Sequence, residues 1–406
     1  MKVNSSIFNS YTGIIKDIQL VQTNIDDYYL IKSITTDRVK FDKKYLFDGV
    51  GAGCSKTFEN ALLSSIGEVI ERYCGNIPSN MITSTMEDLD KKGIVALDYN
   101  SFVNFPKENL QDPTFPFSKY SKKEEIYWSK SKNLFNGQEI YVPSTMVYVN
   151  LDNPNGKSYN FPNLSGLACG TDYNSAVQSA LLETIERDAS LRWWYDKTEE
   201  RLVERVEESK LTFLSYQIDS VIPTIASFLF DFQNELVSVG FSTRFSIKEA
   251  IEKAKAEAVQ LNFNMRNMLN NQLDLSDPVR KYLKPYKTDR KYIDSFRKDK
   301  KDMFDLIHNL QYYLDPRAFQ EQKYRLNDKI KKGVTSPVNN LEELIAFLKS
   351  SGNSNLIVTD MTTSDISKVG YFVVRVLNSG SYINTPTAYL PVSREKISNF
   401  PPIPHS

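Results

Sequence analysis

One stretch of this chain occurs twice, and a third time in fainter form. Residues 51–72 read GAGCSKTFENALLSSIGEVIER and residues 166–187 read GLACGTDYNSAVQSALLETIER. They align without a gap at a constant offset of 115, with identities at Gly51/Gly166, Cys54/Cys169, Ala61/Ala176, Ser64/Ser179, Glu68/Glu183, Ile70/Ile185, Glu71/Glu186 and Arg72/Arg187. In the third copy, SIKEAIEKAKAEAVQ at 246–260, Ala250, Glu257 and Gln260 fall at the spacing of Ala176, Glu183 and Glu186. Each copy reads as a helix. Ser246-x-x-Glu249 is a capping-box signature, and Cys74-Gly75 predicts a glycine C-cap on the first helix. In that helix Leu62, Leu63, Ile66, Val69, Ile70 and Tyr73 supply an apolar face. Ser64, Glu68, Glu71 and Arg72 fall on the other face, at i, i+4, i+7 and i+8.

Strand-like runs surround the helices at Glu139–Val149, Asn355–Thr359 and Tyr371–Leu377. The alternation predicts a mixed α/β (α+β) protein, with the Glu-bearing helices repeated around mixed sheets. Residues 266–335 are polar, rich in Lys, Asp and Tyr, and read as a peripheral helical insert. The end, NFPPIPHS, must be extended because its prolines fix φ. Fifty Lys plus Arg balance fifty Asp plus Glu in 406 residues. That balance argues against a nucleic-acid binder or a polybasic membrane binder. The most apolar stretch, 221–232, is broken by Pro223, Thr224, Ser227 and Asp231, and the N-terminus carries no signal-peptide pattern. We therefore expect a cytoplasmic protein. The three cysteines, Cys54, Cys74 and Cys169, form neither a disulfide framework nor a C-x-x-C zinc motif. With only His308 and His405 available, chemistry is expected to run on carboxylates or a bound cofactor.

Glu-x-x-Glu-Arg on a helix places both carboxylates and the arginine on one side. In a single copy this describes a solvated face with an i, i+4 ion pair. Repeated helices in one fold pack in equivalent ways, so Glu68, Glu71, Glu183, Glu186 and Glu257 are expected to converge. Crowded carboxylates raise one another's pKa and need compensation. A hard divalent cation supplies it, and Mg²⁺ held by a few carboxylates completes its shell with water and phosphate oxygens. Arg72, Arg187, Ser64 and Ser179 are candidates to hold those oxygens. The residues thus point either to an Mg-nucleotide site or to a structural ion-pair network. There is no G-x-x-x-x-G-K-[ST] and no G-x-G-x-x-G, which excludes P-loop and Rossmann sites.

The same segments resemble the YcaO family. ALLSSIGEVIERYC at 61–74 is similar to the family's A-x-x-S-A-x-G-E-x-x-E-R-Y helix. GLACG at 166–170 and AVQSALLETIERDA at 176–189 resemble its GLAAG segment and second glutamate helix, and AKAEAVQ at 254–260 its third. The framework stretches 126–149 and 357–376 also match. The chain departs from the pattern at Thr171, Ser175 and Asn262, where relatives carry Asn, Glu and Arg, and it has Arg266 one turn later.

The resemblance implies an ATP-binding fold over residues 46–406, with 1–45 an N-terminal extension packed on the core, 266–335 the insert and 400–406 a proline-rich tail. It implies ATP and Mg²⁺ as cofactors, with Glu68, Glu71, Glu183 and Glu186 as magnesium ligands. Ser64, Arg72, Ser179, Arg187, Glu257 and Gln260 would complete the nucleotide site. Family members activate backbone amides. The azoline-forming branch converts Cys, Ser or Thr of a ribosomal precursor peptide to thiazolines or oxazolines, and its members often end in a P-x-P tail that reaches the active site. Pro402, Pro404 and His405 are the matching candidates. Some 45 residues before the domain are too few for a leader-binding module, so the resemblance implies a separate E1-like partner. A flavin-dependent azoline dehydrogenase and a homodimer within a complex are further expectations. Thioamide or amidine formation, or a non-catalytic scaffold subunit, are the alternatives. Loss of the six-residue tail is expected to leave thermal stability nearly unchanged.

Overall fold

Each repeat folds as a strand that runs into a long helix, and the three units close on one another. The computed structural model describes all residues except 1–4, 9–12, 24, 36–48, 104, 163, 220, 273–280 and 406. The chain opens with an antiparallel sheet of β1 (Ile15–Val21), β2 (Tyr29–Thr35) and β3 (Val50–Ser55), in that order, followed by α1 (Phe58–Gly75). Then come β4 (Met81–Ser84), β5 (Ile126–Asn133), β6 (Glu139–Pro143) and β7 (Leu167–Gly170), which leads into α2 (Tyr173–Asp196). A meander of β8 (Arg201–Glu208), β9 (Leu211–Asp219), β10 (Thr224–Asp231) and β11 (Leu236–Thr243) leads into α3 (Ile247–Leu269). Late in the chain, β12 (Leu356–Asp360) and β13 (Phe372–Asn378) insert beside β7, giving a sheet ordered β4-β5-β12-β13-β7 with β6 on β5.

A side-chain oxygen starts each helix: Thr57 accepts from the Asn60 N–H, Asp172 from Ser175 and Ser246 from Glu249. Every helix lies so close to its own strand that the strand must carry glycine. A Cβ on Gly51 would sit 2.4 Å from the Ser65 carbonyl oxygen, and one on Gly240 2.1 Å from that of Ala254. The opposite side of each helix packs on the next sheet. Gly75 admits the Leu167 side chain of β7, Trp193 of α2 meets the Phe241 ring of β11, and Ala256 and Ala258 of α3 share a core cluster with Cys54 of β3. Sheets and helices therefore alternate around a closed ring of three repeats.

This ring revises several local expectations. Gly75 is no left-handed cap: the helix ends on Asn76 at φ −106°, and the glycine serves the close approach of Leu167. The chain after Pro143 turns into a short helix, Ser144–Val147, rather than extending β6. The apolar stretch near 221–232 is β10, buried on both faces. Described parts of residues 266–335 are mostly irregular, with short helices at Ile307–Tyr312 and Pro316–Gln322. They are not peripheral. Tyr292, Met303, Leu310, Tyr313 and Phe319 belong to the largest hydrophobic cluster, with Trp193, Phe228 and Ile403. Polar residues dominated the composition there, while these few apolar positions carry the packing.

Gly240→Ala, which drives a methyl into the α3 backbone, is expected to lower unfolding free energy by about 1–3 kcal/mol in denaturant titration. Gly67→Ala is its control. A Cβ there meets nothing nearer than Cys169 Cβ at 4.0 Å, and alanine in mid-helix should stabilise by about 0.5–1 kcal/mol.

Candidate active site

The repeated glutamates reach backbone N–H groups of the strands on either side of their helices. The Ala52 N–H of β3 donates to Glu68 Oε2 at 2.7 Å, and the Phe241 N–H of β11 donates to Glu257 Oε2 at 2.5 Å. These are the strands that precede each glutamate's own helix. The second glutamate of each pair reaches forward instead. Glu71 Oε1 accepts from the Cys169 N–H of β7 at 2.8 Å, and Glu186 Oε2 from the Thr243 N–H of β11 at 3.0 Å. Cys169 and Thr243 hold equivalent places in their repeats, so one sequence pattern generates the same bond twice.

This arrangement gathers the carboxylates where water is scarce. Burial pushes the Glu71 carboxyl up to about 8, and the charges of Glu183 and Glu68 push the same way. Burial pushes Glu186 up to about 7, with Glu257 and Glu183 adding to it, and raises Glu183 as well. Positive charge opposes the crowding. Arg72 donates to Glu68 at 2.5 Å. Arg187 lies 3.4 Å from Glu186, and 3.8 Å from both Glu183 and Glu257. Among the described residues, no three His, Cys, Asp or Glu side chains meet around one metal-sized point. The carboxylates form an arc rather than a finished cage.

The tail joins this arc. Its backbone lies along the edge of β11, where the Val239 N–H donates to the Pro404 carbonyl at 3.0 Å. Trp194 donates to the carbonyl of Pro401 at 2.9 Å, Tyr313 to that of Pro402 at 2.8 Å and Asn309 to that of His405 at 3.1 Å. The buried Lys300 ammonium donates to the carbonyls of Ile397 at 2.6 Å and Phe400 at 2.5 Å. Pro402, Ile403, Pro404 and His405 are all buried. His405 Nε2 lies 2.6 Å from Arg187 Nη1, and its Nδ1 lies 3.1 Å from the Val239 carbonyl. Arginine can only donate, so Nε2 accepts and the proton sits on Nδ1. Burial holds the imidazole down to about 4, which keeps it neutral.

Other candidates are placed less centrally. Ser64 accepts from Lys253 at 3.3 Å, Ser179 is exposed and Gln260 is half-buried. Ser175 closes the capping box of α2 with Asp172. Asn262 is fully buried with neither side-chain amide atom partnered, and Arg266 turns away to Asp231 at 2.9 Å, so it does not replace an arginine at 262. His308 bonds the Tyr282 carbonyl within the insert, away from the glutamates.

A family model described as YcaO cyclodehydratase, ATP- and Mg²⁺-binding, matches residues 52–381. The chain belongs to the YcaO family. Among solved structures it is similar to a heterocyclase in complex with substrate and cofactor, with a TM-score of 0.66 at 17% identity over 91% of this chain. The chain spans 50% of that heterocyclase's length. It is also similar to the YcaO protein of Methanopyrus kandleri bound with AMPPCP and Mg²⁺, with a TM-score of 0.56 at 15% identity, covering 90% of this chain and 86% of the other. A chain of the E. coli microcin synthetase McbBCD complex matches with a TM-score of 0.61 at 12% identity, over 97% of this chain and 98% of its own length.

ATP and Mg²⁺ are the ligands of the YcaO family, and the residues present fit them. The donors are hard carboxylate oxygens, and burial holds Glu71, Glu183 and Glu186 toward the protonated state, a cost that a bound cation removes. Reading the sequence missed two basic residues here. Arg375 of β13 is almost fully buried and donates to the carbonyls of Val147 at 3.1 Å and Ser165 at 2.6 Å. Desolvation holds its guanidinium down to about 10, against the pull of Glu183 and Glu71. It stands in the apolar run YFVVRVL, where the lone charge was itself a signal. Lys253 lies one turn before Glu257 on the same helix face, a spacing that was there to be read.

Glu68→Gln and Glu183→Gln should each lower ATP turnover more than about tenfold while the folded far-UV spectrum is kept, since each removes a charge rather than a core contact. Unchanged turnover in both variants would refute the ligand assignment. The pH response of the ligand-free protein has a fixed sign. Glu71 and Glu186 titrate higher folded, near 8 and 7, than unfolded, near the ordinary 4.5. Folding therefore binds protons between these values, and the stability they contribute is lost as pH rises through 7 and 8. Thermal melting without nucleotide should fall from pH 6 to pH 8.5, and Mg-ATP should reduce that fall.

Proposed function

We propose that this chain is an ATP-dependent peptide cyclodehydratase subunit. In this reading it converts Cys, Ser or Thr residues of a ribosomal precursor peptide to thiazolines or (methyl)oxazolines. The observation that carries it is the seating of the P-x-P tail, with His405 against Arg187 and Glu257, beside the glutamates that the resemblance assigns to ATP and Mg²⁺. Bound Mg-ATP supplies the phosphoryl group that makes an amide oxygen a good leaving group. The chain's own residues do the rest. Glu68, Glu71, Glu183 and Glu186 offer ligand oxygens. Arg187 presents positive charge between the carboxylates and the tail. The neutral His405 offers Nε2 as a proton acceptor once Arg187 turns toward phosphate oxygens.

The heterocyclase and microcin synthetase likenesses support the azoline branch over thioamide or amidine formation. The synthetase is a complex, which supports partner proteins for this chain; we take one to be a separate E1-like, leader-binding protein, with a flavin-dependent dehydrogenase acting on the product. Purified chain, incubated with that partner, a Cys/Ser/Thr-rich precursor and Mg-ATP, should remove one water per ring by mass spectrometry and release ADP and phosphate. A gain of sulfur would replace this reading by thioamide formation. No nucleotide binding by calorimetry would leave a scaffold subunit.

The buried tail overturns the expectation that its removal is thermally silent. Deleting residues 401–406 removes Ile403 from the largest core cluster and leaves Trp194, Tyr313 and Asn309 without acceptors, so the melting temperature should drop by several degrees. His405→Ala isolates the chemical role. It should cut cyclodehydration more than about tenfold, or roughly 1.4 kcal/mol of transition-state stabilisation, with Mg-ATP affinity kept. A full cyclisation rate in His405→Ala would make the tail purely structural.

A further inference from the structure

Lys300 is a buried charge that the proposed chemistry does not use. It is 6% exposed and sits at φ +52°, in the left-handed region that lysine seldom adopts. Charged residues around it in sequence take nearby ionic partners: Arg297 pairs with Asp299, Lys301 with Asp112 and Asp302 with Lys284. Lys300 turns inward instead, and desolvation holds its ammonium down to about 8. A left-handed backbone and a desolvated charge each cost free energy, and one residue carries both.

The ammonium reaches the corner where the tail leaves the last helix. Residues Arg394–Asn399 form that short helix, and Phe400 turns out of it at φ −117° and ψ 144°. Carbonyls in the last turn of a helix have no intrahelical N–H to accept from. Lys300 Nζ donates to the Ile397 carbonyl at 2.6 Å and to the Phe400 carbonyl at 2.5 Å, and lies 3.5 Å from that of Ser398. An ammonium carries three N–H groups, so a single side chain holds the corner from its helical side and its tail side together. Beyond the corner, three of the four residues that lead to His405 are Pro401, Pro402 and Pro404. Proline fixes φ, so this segment passes a displacement at the corner on to His405 instead of absorbing it.

We propose that Lys300 is a positioning residue for the tail: by fixing the corner at Phe400 it sets the place of His405 against Arg187. The inference rests on the role proposed for His405 above. The seating of the tail can nevertheless be read without turnover, because the Val239 N–H donates to the Pro404 carbonyl.

Lys300→Met keeps the length of the side chain and removes its charge and its donors. Hydrogen exchange on the full chain should show the Val239 amide exchanging at least about tenfold faster, while the amides of β10 keep their protection. The melting temperature should hold or rise, since no ammonium is left to desolvate. With partner, precursor and Mg-ATP, kcat for cyclodehydration should fall more than about fivefold at unchanged Mg-ATP affinity. In a His405→Ala background, Lys300→Met should cost nothing further, because it acts through that side chain. Wild-type exchange at Val239 overturns the proposal whatever the activity. So does an equal loss of rate with and without His405. A variant that melts several degrees lower, or does not fold, also overturns it, because Lys300 would then be a core residue. A wild-type chain that forms no azoline removes the proposed activity, and Lys300 is then judged by the Val239 exchange alone.

Discussion

Each of the three long helices packs between two sheets, and glutamate side chains tie helix to strand. Glu71 and Glu186 hold the N–H of the next repeat's strand, while Glu68 and Glu257 hold that of their own. A carboxylate accepting a backbone N–H is a strong, directional bond, and in a partly dry interior it fixes the helix in rotation as well as distance. The side chains that close the ring are the ones that face its centre. Fold and site therefore cannot be separated by residue. The glycines at 51 and 240 set the depth at which these carboxylates sit, because they let the helix backbone approach the strand.

Such an arrangement is strained electrostatically without being strained sterically. Several carboxylates share a poorly solvated arc with Arg187, Arg72 and the nearly inaccessible Arg375. The arginines offset part of the repulsion, yet Glu71 and Glu186 still stand well above the ordinary carboxylate range. A site held short of charge balance favours a ligand that brings positive charge with it. Magnesium with a nucleotide brings such charge, and Arg72 and Arg187 would be the cationic groups available to its phosphates. The family's ligands suit the charge state that burial imposes.

The periodic part of this architecture was legible in the sequence. A constant offset of 115 between two glutamate helices, with a third copy behind, fixes the number of units and the face they share. What the sequence concealed depends on contacts between distant residues. A glycine at position 75 looks the same whether it caps a helix or admits Leu167. Residues 266–335 look solvated because most are polar, though a few apolar side chains carry the packing. That the tail reaches the site is implied only by the family resemblance; its own residues say no more than that it is extended, and the donors to its carbonyls, Trp194, Tyr313, Asn309 and Lys300, lie far apart in sequence.

The tail also breaks the three-fold likeness at one point. The junctions after α1 and α2 each carry a glutamate bonded to the next strand, and His405 enters at the second of them, between α2 and β11, beside Arg187 and Glu257. The third repeat is also the weakest in sequence, with Gln260 where the others carry a second glutamate. A neutral amide at that position removes one negative charge from the arc and leaves Glu257 paired with Arg187 and the tail. A ring of three equal units would present three equal sites. Replacing one carboxylate by an amide, and seating a neutral imidazole beside Glu257, makes the three units electrostatically unequal.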